Sequence, residues 1–155
     1  MDATQLARSL LEPVPAHRTA GLEVLSAADG AAELALTTPE ALTNVIGSLH
    51  SSGLITLVDP AGLAAMIAAA EKPDEFAGVV PLGAVASMEF LAPARGRLTA
   101  GCRLDDQALL ALRPVLSGAS ARARLTTRAE IVDASGEVVC RGRFEWSVRR
   151  TQETR

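Results

Sequence analysis

The sequence predicts a single α+β domain in which a strongly curved antiparallel sheet wraps around one long buried helix. The helix is predicted to begin at Ser51 and to be closed by Lys72-Pro73, because its apolar residues recur every three to four positions and it stays apolar almost all round. After it, four segments alternate apolar and polar residues, as strands with one covered face do. A helix with so much apolar surface needs a sheet around it.

The length and composition are those of one globular domain covering residues 1–155. Apolar residues make up 48% of the chain and charged residues 21%, and the net charge of −3 gives no reason to expect nucleic acid. The charge is unevenly distributed, because residues 1–90 hold 3 basic and 11 acidic side chains while residues 91–155 hold 12 and 7. The basic second half is either a set of solvated strand faces or a surface for a phosphate or an acidic carrier protein.

Cysteine use and hydropathy predict a cytoplasmic protein that does not enter a membrane. The two cysteines, Cys102 and Cys140, form neither a disulfide framework nor a metal-ligand motif, so we expect both to be reduced and buried. The 18-residue stretch 53–70 carries a single charge, but it contains Asp59-Pro60, which is costly in lipid. The chain has no glycine-rich phosphate loop and no metal cluster, so no cofactor is expected.

The elements before the central helix follow from short local signals. An N-terminal helix is predicted over residues 4–11, with Pro13 and Pro15 ending it. Residues 22–25 and 32–36 are predicted strands, joined by a turn at Asp29-Gly30. Residues 37–49 are polar and predict a loop, and the core of the domain is expected over residues 20–150.

The remaining elements follow from caps and alternation. His50-Ser51-Ser52 supplies polar groups at the start of the central helix, and Pro60 inside it predicts a nearby kink. A short helical connection is predicted from Asp105 to Leu116, ending at or before Arg113-Pro114. The strands are expected at residues 79–90, 96–104, 119–132 and 137–148, with a hairpin turn at residues 133–136.

Asp59 is the first candidate for chemistry. It is the only acid between Glu40 and Glu71 and lies in an apolar helix, so burial should raise its pKa unless donors satisfy the carboxylate. An acid in such a place costs stability and is typical of a functional site. The alternative is a structural carboxylate bonded near the Pro60 kink, to Thr56 or Thr43.

The start of the central helix is the second candidate. Its first amides have no helical acceptor and its dipole favours negative charge, so the amide of Ser51, with Ser52 beside it, is a predicted oxyanion donor. Asn44 either orients a carbonyl or a water, or is a loop asparagine that tolerates a turn. His50 either donates to a substrate oxygen, or caps and orders the helix start.

Together these residues resemble a known family. Asn44-x-x-Gly47-x-x-His50 followed by a buried Asp59 is similar to the signature of hotdog-fold thioesterases of the PaaI-like, phenylacetate-pathway type. Segments 86–100, 133–136 and 141–149 resemble the strands that this family places next, so the likeness covers about residues 20–150.

The resemblance implies hydrolysis of an acyl-CoA or acyl-carrier-protein thioester. Asp59 would act as general base or nucleophile, the Ser51 amide as oxyanion donor, and Asn44 and His50 as positioning residues. The residues expected to contact the substrate are Gly47, Ser52, Met66 and Met88.

The resemblance also implies a homodimer or homotetramer whose active site lies at a subunit interface. The acid of one subunit would face the oxyanion donors of the other, with the 79–90 strand pairing along its free edge. Arginines of the second half are candidates for contacts with coenzyme A phosphates or a carrier protein: Arg95, Arg97, Arg122, Arg124, Arg141 and Arg143.

One departure from the family pattern keeps two other functions open. Here the chain carries His50-Ser51-Ser52 where the family has His-Gly-Gly, so side chains stand where a thioester would approach. The first alternative is a hydratase or lyase acting on an unsaturated acyl thioester. The second is a non-catalytic dimer that binds an acyl group.

Overall fold

The computed structural model describes residues 1–151. Its helices and strands, in chain order, are α1 (Ala3–Leu11), α2 (Pro15–Ala20), β1 (Glu23–Ala28), β2 (Ala31–Thr37), α3 (Ser51–Ile67), β3 (Val79–Phe90), β4 (Arg97–Arg103), α4 (Asp106–Leu116), β5 (Arg122–Asp133) and β6 (Val138–Arg150). Short 3₁₀ turns lie at Glu40–Leu42 and Pro73–Phe76.

The strands form one antiparallel sheet in the order β1-β2-β4-β5-β6-β3, packed on α3. This confirms the predicted fold class, and all six predicted strands are present. The turn between β1 and β2 has Asp29 at φ 51° and Gly30 at φ 73°, the left-handed pair that a two-residue hairpin turn requires.

Tight packing holds α3 against the middle of the sheet. A Cβ added at Gly62 would lie 2.6 Å from Thr127 Oγ1, so only glycine allows this approach. The same hydroxyl accepts a hydrogen bond of 2.7 Å from Trp146 Nε1, which satisfies both buried polar groups. Leu57 and Ala61 of α3 are completely buried beside this contact.

Three helix boundaries differ from the predictions. Pro15 does not simply end α1 but begins α2, since proline is favoured at the first position of a helix. The central helix ends at Ile67, before Lys72-Pro73. Helix α4 continues past Pro114 to Leu116, because burial of Leu116 and its neighbours outweighs one lost helical hydrogen bond.

The two outer edges of the sheet are treated differently. At β1, side chains of α1 bind the free backbone groups, as Arg8 Nε donates to Val24 O at 2.9 Å and Val24 N donates to Glu12 Oε1 at 3.0 Å. At the opposite edge, β3 pairs only with β6 among the strands of residues 1–151, and large apolar side chains are exposed along it: Val80, Leu82, Val85 and Phe90.

Both cysteines are buried and free, as expected. Within residues 1–151, no helix is long and apolar enough to cross a membrane.

Candidate active site

The loop before α3 is held by the side chain of Asn44. Its Oδ1 accepts hydrogen bonds from the amides of Ile46 (3.1 Å) and Ser48 (3.0 Å), and the Asn44 amide donates to Ser48 O at 2.8 Å. Gly47 completes the turn at φ 74°, a backbone conformation that favours glycine. Asn44 therefore shapes the loop through its carbonyl oxygen, while its Nδ2 is not needed for the turn.

His50 caps α3. Its Nδ1 accepts a hydrogen bond of 3.1 Å from the Ser52 amide and lies 2.8 Å from Ser52 Oγ. Because Nδ1 is an acceptor, the neutral ring carries its proton on Nε2. The capping interpretation of His50 is correct, and it leaves an N–H donor at the other side of the ring.

The first amides of α3 are not equivalent. The Ser52 amide is bound by the His50 ring, and those of Gly53 and Leu54 donate to the His50 carbonyl at 2.9 and 3.2 Å. The Ser51 amide has no acceptor within residues 1–151. The positive end of the helix thus presents one open N–H, at the position that the sequence predicted for an oxyanion donor.

These groups surround an open cleft of about 530 Å³. Asn44, His50 and Ser51 lie on one side, and the end of β3 supplies apolar walls, including Phe90, which is 56% exposed, and Leu91. The structure therefore brings three of the four predicted catalytic residues to one place.

Asp59, the fourth, lies elsewhere. Eight residues of helix separate it from Ser51, which is about 12 Å along the axis. Its carboxylate has no hydrogen-bond partner in the part of the chain that the structure describes. The two hydroxyls proposed as structural partners bind other groups: Thr56 Oγ1 donates to Ser52 O at 2.8 Å and Thr43 Oγ1 to Glu40 O at 2.9 Å.

The surroundings of Asp59 perturb its ionisation. Burial raises the pKa of Asp59, and the nearby charge of His17 lowers it in part. His17 is itself buried in α2, with its Nδ1 2.6 Å from Leu11 O. Sequence reasoning assigned no role to His17, since nothing local relates it to a residue 42 positions further along the chain.

Asp59 faces the side of α3 that the chain leaves uncovered. The residues with exposed or half-buried side chains recur at helical spacing along this side: Ser52, Ile55, Thr56, Asp59 and Leu63. The carboxylate therefore lies on an apolar, partly open surface between Ile55 and Leu63, one turn away on either side.

The predicted substrate-contacting residues are distributed over three environments. Gly47 is in the loop turn, and Ser52 is bound to His50. Met88 is half-buried on β3, against the backbone of Gly142. Met66 is completely buried and packs the core, so within the single chain it does not line the cleft.

The fold is the hotdog fold, which this chain shares with several solved structures that are no more than 24% identical to it. A Pseudomonas aeruginosa protein described as a probable thioesterase is 24% identical, with 96% of each chain covered and a TM-score of 0.77. The Escherichia coli PaaI protein from the phenylacetic acid degradation operon is 20% identical, with 97% of this chain and 94% of that chain covered and a TM-score of 0.69. A thioesterase family protein from Silicibacter pomeroyi is 18% identical, covering 96% and 99%, with a TM-score of 0.74.

The chain belongs to the family described as "Domain of unknown function (DUF4442)", whose model matches residues 3–148. No curated protein matches the sequence. Across residues 1–151, no three or more His, Cys, Asp or Glu side chains are grouped so that they could hold a metal ion.

Proposed function

We propose that this protein is a homodimeric thioesterase that hydrolyses acyl thioesters of coenzyme A or of a carrier protein. One observation carries the proposal: α3 holds an N–H at Ser51 and a partly buried carboxylate at Asp59, and neither has a hydrogen-bond partner within residues 1–151. A donor for a developing oxyanion and a base for water are the two groups that thioester hydrolysis needs.

The chemistry follows from these groups. Asp59 acts in one of two ways. As a general base it removes a proton from a water molecule that attacks the thioester carbonyl, and as a nucleophile its carboxylate attacks the carbonyl itself. The Ser51 amide and the Nε2–H of His50 stabilise the negative oxygen. On the water route, the tetrahedral intermediate collapses to the acid and the thiolate, which takes the proton held by Asp59. On the nucleophilic route, collapse expels the thiolate and leaves a mixed anhydride on Asp59, which water hydrolyses in a second step to the acid and free Asp59. A carboxylate with a raised pKa is a better base than an ordinary aspartate, because proton transfer to it is more favourable.

The separation of Ser51 and Asp59 requires a second subunit. About 12 Å of helix keeps them from sharing one substrate carbonyl within a chain. Antiparallel pairing of two β3 edges would bring the uncovered side of α3 in one subunit toward the 44–51 loop of the other. It would also remove an unpaired apolar edge. A tetramer built from such dimers would keep the same paired site.

The cleft also restricts the substrate. Phe90 and Leu91 offer an apolar wall for an acyl or pantetheine chain, whereas the side chains of Ser51 and Ser52 occupy space at the helix start. We therefore expect activity on acyl groups that are narrow near the carbonyl.

Substitution of Asp59 tests the proposal. Asp59→Asn should reduce kcat/KM for acyl-CoA or acyl-carrier-protein substrates by about 100- to 10,000-fold, since a general base contributes that much. Asp74→Asn, a change at an exposed acid outside α3, serves as the matched control and should leave the rate unchanged.

Mass spectrometry of the products defines the reaction. Free acid and free thiol among the products support hydrolysis. An intact thioester of altered mass, found after incubation with an α,β-unsaturated substrate, would instead show that the enzyme catalyses an addition to the acyl chain. Wild-type rates in Asp59→Asn would contradict the role given to this residue.

A further inference from the structure

The face of the sheet that points away from α3 carries two directly opposed pairs of arginines, Arg122 with Arg149 and Arg128 with Arg143. Arg122 of β5 and Arg149 of β6 are directly opposed in the antiparallel ladder, and Arg124 is the next residue of β5 on the same face. All three are exposed. Directly opposed side chains have Cβ atoms about 5 Å apart and diagonal ones about 7–8 Å, and like charges in such positions destabilise the sheet.

The other outward-facing arginines of β5 and β6 contact carboxylates. Arg141 contacts Glu130 at 3.0 Å, Arg143 contacts Glu145 at 3.6 Å and Arg128 contacts Asp105 at 3.4 Å. Within residues 1–151, no carboxylate forms an ion pair with Arg122, Arg124 or Arg149, which we call the arginine triad.

The neighbours of the triad do not supply the missing negative charge. Ser147 lies opposite Arg124, and the exposed side chain of Val80 on β3 lies opposite Arg149. Glu145, diagonal to Arg124, is already in contact with Arg143. An uncompensated cluster of guanidinium groups on a rigid sheet thus faces solvent.

We propose that the arginine triad binds a phosphate group. Guanidinium forks pair with phosphate oxygens in a bidentate manner, and the doubly negative phosphomonoester matches three cations on neighbouring strand positions. Bound phosphate would also offset the repulsion between Arg122 and Arg149. The site is built on two long paired strands, so the backbone positions of its three arginines are set before the anion binds.

The phosphate could come from the thiol carrier of the substrate or from a free phosphate compound. In the dimer proposed above, antiparallel pairing would put Val80 of one β3 near Phe90 of the other. The arginine triad of one subunit would then lie at the same end of the paired β3 strands as the cleft of the partner subunit. This link to the substrate rests on the proposed function, whereas phosphate binding itself does not.

Calorimetric titration of the full chain tests the site. Adenosine 3′,5′-bisphosphate and inorganic phosphate are the two probes, and the double variant Arg122→Gln/Arg149→Gln is compared with Arg128→Gln, which changes a paired arginine on the same face. We expect the double variant to bind the bisphosphate at least about tenfold more weakly, since each charge-assisted hydrogen bond to phosphate is among the stronger ones. Arg128→Gln should bind like wild type.

Equal affinity in all three proteins would overturn the site. Binding of inorganic phosphate as tight as that of the nucleotide would assign the triad to free phosphate, and preference for the bisphosphate would assign it to a nucleotide end. Either assignment also requires that the double variant binds the probe more weakly than wild type.

Thermal melting supplies a second, independent readout. At low ionic strength and without phosphate, Arg149→Gln should melt about 1–2 °C above wild type, because the opposed charges are relieved. The bisphosphate should then raise the melting temperature of wild type but not that of Arg149→Gln. An equal ligand-induced rise in both would contradict the proposal.

Kinetics separate this inference from the proposed function. If the phosphate belongs to the substrate, the double variant should raise KM for an acyl-CoA without changing kcat. It should also hydrolyse the matching acyl-pantetheine, which lacks the nucleotide, like wild type. If no thioester is hydrolysed by any variant, the proposed function fails while the titration still decides the phosphate site.

Discussion

The two edge strands of the sheet, β1 and β3, differ in whether their outward backbone groups are bonded. At β1, α1 covers the edge, and side chains of Thr4, Arg8 and Glu12 bind the outward backbone groups of the strand. At β3, eleven of the twelve residues have partners on β6, no other strand within residues 1–151 pairs with them, and most of their side chains are exposed. An open apolar edge invites pairing with another chain, whereas an edge bonded by side chains does not.

The two edges differ in how far their outward backbone groups are already bonded. The bulge at Leu25 shifts the register of β1, and Arg8 donates to the carbonyls of Val24 and Leu25 there, at 2.9 and 3.3 Å. β3 also has a bulge, between Gly83 and Val85, so the two edges differ in the side-chain cover, which blocks strand addition at β1. β3 carries Val80, Leu82 and Val85 on an edge that nothing within residues 1–151 covers, which supports the proposed dimer.

The largest expected effect is on assembly. Val85→Lys puts a charge on the exposed β3 edge and should weaken the proposed dimer by about 100-fold or more, because edge lysines oppose strand pairing. Leu25→Lys makes the same change at an exposed apolar residue of the β1 edge and should leave assembly unchanged. Sedimentation equilibrium measures both. A dimer lost in Leu25→Lys and kept in Val85→Lys would reverse the assignment of the edges.

A smaller effect is expected on stability. Arg8→Ala removes two hydrogen bonds from a charged donor at the β1 edge, and because Arg8 is exposed we expect a cost of about 1–2 kcal/mol. For a chain of this size the melting temperature should fall by about 2–6 °C, as measured by circular dichroism. The oligomeric state should not change. An unaltered melting temperature would mean that α1 covers the edge without stabilising it.

The smallest effect concerns pH. In the proposed mechanism the ionised form of Asp59 is the active one. Activity, measured as kcat/KM, should therefore be full above the raised pKa of Asp59 and be lost as the pH falls through that pKa. His17 lowers this pKa, so His17→Gln should move the acid limb of the profile to higher pH. Arg18→Gln, a change at a neighbouring exposed residue of α2, should leave the limb in place. A limb unmoved in His17→Gln would show that Asp59 is ionised independently of α2.

Much of the fold could be predicted because its signals are local. Alternation located β3 at its observed bounds, and Asp29-Gly30 located the first hairpin. The end of α3 and the continuation of α4 through Pro114 were missed, since both depend on burial against distant residues. The position of His17 beside Asp59 depends on helix packing, which no local pattern reports.

By itself the sequence determined that a lone acid lies in an apolar helix and that polar residues precede that helix, because composition and spacing are properties of a single segment. Only the tertiary structure decided which atoms remain available there. It uses Asn44 Oδ1 and His50 Nδ1 internally, leaves the Ser51 amide open and leaves Asp59 unbonded within residues 1–151. It also decided which sheet edge is covered, since hydrogen bonds and strand order are set by pairing between residues far apart in the chain.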